Sequence, residues 1–146
     1  MKNVSRVSLV FSVIVTMAFS VLAFGFPGSA SAFTSREGTR VNPVKDGVYE
    51  VVPRSGGHGR SYWCAAGDYA HRALKAPWDA RIFVYRGLGA SETSNRRSAV
   101  QFTLQAGLAG GGSDSGQTGS VNSLARGDSR LVRDAYAYCN QLPAGF

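Results

Sequence analysis

The sequence predicts an α+β domain: a small, three- to four-stranded, mainly antiparallel sheet packed by two helices and closed by one disulfide, Cys64–Cys139. Three observations carry this. Residues 48–52, 80–86 and 98–104 are short runs rich in β-branched and aromatic side chains. Residues 61–75, and the stretch opened by Asp128, place apolar side chains at helical spacing. Each helical stretch holds one of the two cysteines in the chain.

The first 32 residues read as an export signal outside the fold. Lys2 and Arg6 form a positive start, Val7 to Phe26 is almost uninterruptedly apolar, and Pro27-Gly28 breaks the run before Ala30-Ser31-Ala32, a small-residue cleavage pattern. Twenty apolar residues could instead stay as a membrane anchor; the cleavage pattern behind the helix breaker favours removal, leaving no membrane span. Of 146 residues 114 would remain, enough for one domain and too few for two. Export places the mature protein in the periplasm or outside the cell, where a disulfide persists. Cleavage takes two of the 16 basic residues, leaving 14 against nine acidic ones, a net charge of +5. Twelve of the 14 are arginine. That balance biases the protein toward anionic partners without specifying a fold.

Taken in order, residues 33–46 show no apolar period and are expected as a disordered N-terminal extension, ahead of a single α+β domain over 47–142. Asp46-Gly47 turns the chain into the first strand, 48–52, which Pro53 ends. Residues 55–59 hold three glycines and His58, but lack the ending of a phosphate-binding P-loop, and read as a flexible linker. The helix over 61–75 takes Ser61 as its N-cap and stops before Pro77. Tyr62, Trp63, Ala66, Ala70, Ala73 and Leu74 share the face expected to meet the sheet, while Cys64, Asp68, His71 and Lys75 lie on the other flank. A second helix must cover that flank for Cys64 to be bonded.

Residues 80–86 form the strongest strand, and 98–104 alternate, with Val100, Phe102 and Leu104 inward and Gln101 and Thr103 toward water. The two should make an antiparallel hairpin. Residues 106–120 hold six glycines and are expected to lack regular structure; 121–124 are expected as a short edge strand. Asp128 would cap the final helix, whose apolar face is Leu131, Val132, Ala135 and Cys139.

Candidate functional residues are few. A free Cys64 nucleophile with His71 as its base fails on reach, because seven helical residues span about 10 Å; the cysteines read as a structural pair. Two histidines and no H-E-x-x-H or C-x-x-C motif give no metal site, and no motif implies a cofactor. G-x-S-x-G and S-x-x-K are absent. Among the carboxylates Glu50, Asp68, Asp79 and Glu92, nothing singles out a pair. Trp63 and Trp78 read as packing, with a sugar or peptide groove as the alternative. Arg81, Arg86, Arg96 and Arg97 fall near the expected hairpin and form the candidate anion-binding set. Asp68 and His71 form a candidate polar cluster.

The strings Tyr62-Trp63-Cys64-Ala65-Ala66-Gly67-Asp68-Tyr69-Ala70, Ala99-Val100-Gln101-Phe102-Thr103 and Tyr138-Cys139 resemble a group of small exported alphaproteobacterial proteins with one disulfide. The resemblance spans roughly residues 47–140. It implies export and a shared fold, and carries over no functional residue. With metal, nucleophilic-serine and P-loop chemistries set aside, two functions stay open: a non-catalytic binding or accessory module for an anionic envelope polymer or a partner protein, which is favoured, and a small hydrolase using carboxylates or His71 with Asp68. No nucleic-acid module is recognisable, and the arginines are scattered.

Overall fold

The computed structural model describes residues 31–110 and 120–141. All but the end of the expected leader, most of the glycine-rich stretch and residue 142 lie outside them. The described residues form one antiparallel sheet of six strands in the order β1-β2-β3-β5-β4-β6. These are β1 (Phe33–Thr34), β2 (Arg40–Lys45), β3 (Val48–Val52), β4 (Arg81–Gly89), β5 (Ala99–Thr103) and β6 (Ser129–Leu131). The helices are α1 (Gly59–Arg72), α2 (Ala106–Ala109) and α3 (Val132–Ala137), with a 3₁₀ turn at Tyr138–Asn140. The α+β class holds, with more strands and helices than expected.

The added strands have local causes. Residues 33–46, expected as a disordered extension, supply β1 and β2. Asp46-Gly47 closes a β2–β3 hairpin, with Gly47 at φ 73°, a backbone geometry suited to glycine. Pro43 does not break the pairing because the register shifts beside it, between Pro43 and Lys45. At the opposite edge, β6 pairs with the start of β4 through Arg81↔Leu131, Ile82↔Arg130 and Phe83↔Ser129. The final helix therefore starts later than expected. Asp128 is not its cap: its carboxylate accepts hydrogen bonds from the Ser123 hydroxyl (2.6 Å) and the Ala125 N–H (3.0 Å), closing a turn. That turn takes the place of the edge strand expected over 121–124.

The β4–β5 hairpin forms as expected, with Phe83 opposite Thr103 and Val84 opposite Phe102. Cross-strand rows alternate in character. Tyr49, Phe102 and Val84 lie side by side on the face that packs α1, and Trp63 meets Phe102 edge-on at 5.1 Å. The opposite face carries polar residues, yet it is not wetted: Gln101 is 1 % and Thr103 0 % exposed. The expectation that both face water fails because the chain after β4 and α2 fold over this side of the sheet.

Helix α1 begins two residues before Ser61. A remote residue fixes its start: the Asn122 side-chain oxygen accepts the Gly59 N–H at 3.1 Å, so Ser61 is not needed as a cap. It ends at Arg72, where Leu74 and Ala76 N–H groups return to the Tyr69 and Ala70 carbonyls and Lys75 turns at φ 56°. Leu74, lying beyond that stop, is exposed and not on the buried stripe. The other flank of α1 is covered by α3 and the 3₁₀ turn, as a bonded Cys64 requires. A Cβ on Gly67 would lie 2.6 Å from the Tyr136 backbone nitrogen. That close approach brings Cys64 and Cys139 to a Cα separation of 4.9 Å, and they are disulfide-bonded.

Candidate functional site: a carboxylate-locked loop and an arginine groove

The polar row on the outer face runs across four strands. Asn42 on β2 is opposite Glu50 on β3, Glu50 opposite Gln101 on β5, and Gln101 opposite Arg86 on β4. Their side chains share one face. Glu50 at its centre is fully buried. A buried carboxylate is tolerated only when charge and hydrogen bonds compensate its lost hydration. Here each oxygen receives three donors. Oε1 takes the hydroxyls of Ser91 (2.5 Å) and Thr93 (2.7 Å) and the Thr93 N–H (3.1 Å). Oε2 takes the Glu92 N–H (3.0 Å), Gln101 Nε2 (3.1 Å) and Arg86 Nη2 (3.2 Å). Burial alone would raise the Glu50 carboxyl, but the Glu92 amide and the Ser91, Thr93 and Gln101 side chains outweigh it and hold it at about 2. Glu50 stays ionised, and its chemical effect is to clamp loop 91–94 onto the sheet. Asn42 adds a tie to the Thr93 hydroxyl at 2.9 Å, and Ser94 donates to Ser91 at 2.8 Å.

This loop is one wall of a groove of about 320 Å³. Arg40, Arg54 and Arg96 line it with Asn42, Thr93 and Ser94, and no carboxylate is among the lining residues. All three arginines are exposed. Among the described residues, no ion pair involves Arg40, Arg54, Arg96 or Arg97. The hairpin explains the convergence: Arg40 opens β2 opposite Val52, Arg54 follows two residues later, and Arg96 precedes β5, the other neighbour of β3. Three guanidinium groups around one concavity can bind phosphate, sulfate or carboxylate groups through forked hydrogen bonds.

The four arginines expected as one set do not lie together. Arg81 lies at the far end of β4, where it donates to Ser129 at 3.0 Å. Arg86 is drawn inward to Glu50 and also faces Glu92 at 3.7 Å. Arg96 remains on the groove, with Arg97 beside it in an adjoining depression. Arg40 and Arg54 went unrecognised, although they fall at similar distances on either side of the Asp46-Gly47 turn. That turn dipeptide was the available signal for a hairpin.

Asp68 and His71 sit on the covered flank of α1 with different partners. Asp68 is fully buried and accepts the Arg36 N–H and an Arg72 guanidinium N–H, each at 3.0 Å. His71 stacks on Trp78, with ring centroids 3.6 Å apart and Tyr136 edge-on to both. Trp63 is buried in the core and Trp78 is partly exposed. Among the described residues, no group of three His, Cys, Asp or Glu is placed to hold a metal ion, and no helix is long and apolar enough to cross a membrane.

No family model, curated protein or solved structure matches this chain.

Proposed function

We propose that the protein is an exported, non-catalytic binding module, and that the groove between Arg40, Arg54 and Arg96 receives the anionic groups of its ligand. The observation that carries this reading is the concentration, among the described residues, of three guanidinium groups without ion pairs in one concavity that no carboxylate lines. The clamped loop supports it, since a wall fixed before binding loses little conformational freedom on contact. Acid–base catalysis finds less support: Glu50 is ionised and saturated with donors, and Asp68 is buried on two arginine partners. The disulfide is compatible with the oxidising compartment that the leader implies.

Binding of short linear polyphosphate, followed by calorimetry at low and high ionic strength, tests the reading. Wild-type protein should bind and weaken with salt, as exposed charges do. The Arg54→Gln, Arg96→Gln double variant should lose about tenfold or more in affinity, while Arg133→Gln, an exposed change on α3, should lose little. Binding that is indifferent to salt, or unaltered by the double variant, would overturn it.

A further inference from the structure

The arginine groove does not stand alone. It shares Pro53 and Arg96 with a depression of about 300 Å³ that adds Arg97, Ser55, Asn95 and Ser98. On the other side of loop 91–94, a third cavity of about 350 Å³ is lined by Lys45, Tyr85, Arg86, Glu92, Gln101 and Arg126, with Glu92 facing Arg86 at 3.7 Å. Arg40 and Lys45 mark the two ends of β2, so the groove and the third cavity are separated by about 16 Å at a strand rise of ~3.3 Å per residue. Three concavities thus follow one another along one side of the sheet, each with at least one exposed cation.

We infer that this track binds a linear acidic polysaccharide, with sugar carboxylates on the arginines and Lys45 and sugar hydroxyls on the neutral side chains between them. The inference rests on the anion-binding reading of the groove and narrows it to a ligand class. Two features select the class. Hydroxyls and amides alternate with the cations: Ser55, Asn95 and Ser98 beside Arg97, Asn42, Thr93 and Ser94 beside Arg40 and Arg54, and the Tyr85 hydroxyl beside Lys45. That pattern suits a polymer whose charges are spaced by neutral, hydroxyl-rich surface. The second feature weighs against a single-stranded nucleic acid, which would need aromatic faces for its bases. Among the described residues, Tyr85 is the only aromatic one lining the three concavities, and cations occupy its ring: the Lys45 ammonium at 4.4 Å and the Arg126 guanidinium at 5.5 Å from the centroid.

The test titrates the whole mature protein with galacturonic acid, its linear hexamer, the neutral maltohexaose and oligothymidylate of the same charge as the hexamer, all at one ionic strength. The hexamer should bind at least about tenfold more tightly than the monomer, because successive sites share one chain. Maltohexaose should not bind measurably, and the oligothymidylate should bind at least about tenfold more weakly than the hexamer. Lys45→Gln should weaken the hexamer severalfold and leave the monomer unchanged. Equal affinity for monomer and hexamer would overturn the track, and oligothymidylate binding as tightly as the hexamer would overturn the polysaccharide assignment. If either happens while polyphosphate still binds through Arg54 and Arg96, the groove survives as an anion site. If no anionic probe binds, both readings fall.

Discussion

Glu50 ties the sheet to the proposed site. With its carboxyl held at about 2 against an ordinary 4.5, folding favours the ionised form. Its contribution is therefore complete above about pH 4.5 and is lost as pH falls toward about 2; from the shift it amounts to roughly 3 kcal/mol. Glu50→Gln removes the charge, leaves Arg86 without its buried partner and turns one acceptor into a donor among donors. It should cost about 3 kcal/mol in urea unfolding at neutral pH. The difference from wild type should shrink between pH 4.5 and 2; a difference that stays constant across that window would show that Glu50 is not the titrating group. The strand around Glu50 was legible in its β-branched neighbours, but the residue's role was not. Alternation along β5 marks Gln101 and Thr103 as the polar face, and nothing in a two-residue period says whether a loop distant in sequence will cover that face.

At the level of elements, the junction of α1 with α3 depends on Gly67. Alanine would raise helix propensity by about 1 kcal/mol in an isolated helix. Here its Cβ would meet backbone atoms of Ala135 and Tyr136 at 2.9 and 2.6 Å, and backbone cannot rotate away as a side chain can. Gly67→Ala should lower stability by about 1–3 kcal/mol, read from thermal or urea unfolding; a variant as stable as wild type would mean that the helices are not so closely packed. Helix α1 could be placed from its apolar stripe to within a few residues. Its start could not, because Gly59 is capped from Asn122, far along the chain. The hairpin strand β2 was hidden by Pro43, whose missing donor argues against a strand until the register shift beside it is known. Hiding β2 also hid Arg40, and with it half of the groove's logic.

Across the whole molecule, the disulfide joins α1 to the last turn over a separation of 75 residues. Closing a loop of that length restricts the unfolded chain by about 4 kcal/mol, a large share of a small domain's stability. The Cys64→Ser, Cys139→Ser variant should lose up to about 4 kcal/mol in urea unfolding. The arginine groove lies across the sheet from this bond, so a folded variant should still bind polyphosphate; loss of binding without loss of fold would couple the two regions against expectation. The pairing was readable from two cysteines and the export that the first 32 residues lead one to expect. The groove was not, because its three arginines come from separate strand ends that meet only when the sheet forms.

The central claim is that anions bind between Arg40, Arg54 and Arg96 beside the loop that Glu50 holds. Nuclear magnetic resonance of isotope-labelled protein spanning residues 33–146, titrated with linear oligogalacturonate, tests this most directly. The account predicts that the largest shift changes fall on Arg40, Arg54, Thr93, Ser94 and Arg96, and reach Lys45 with the longer oligomers. Changes centred instead on Trp78 and Tyr136 at the α1–α3 side, with the groove residues unmoved, would contradict it.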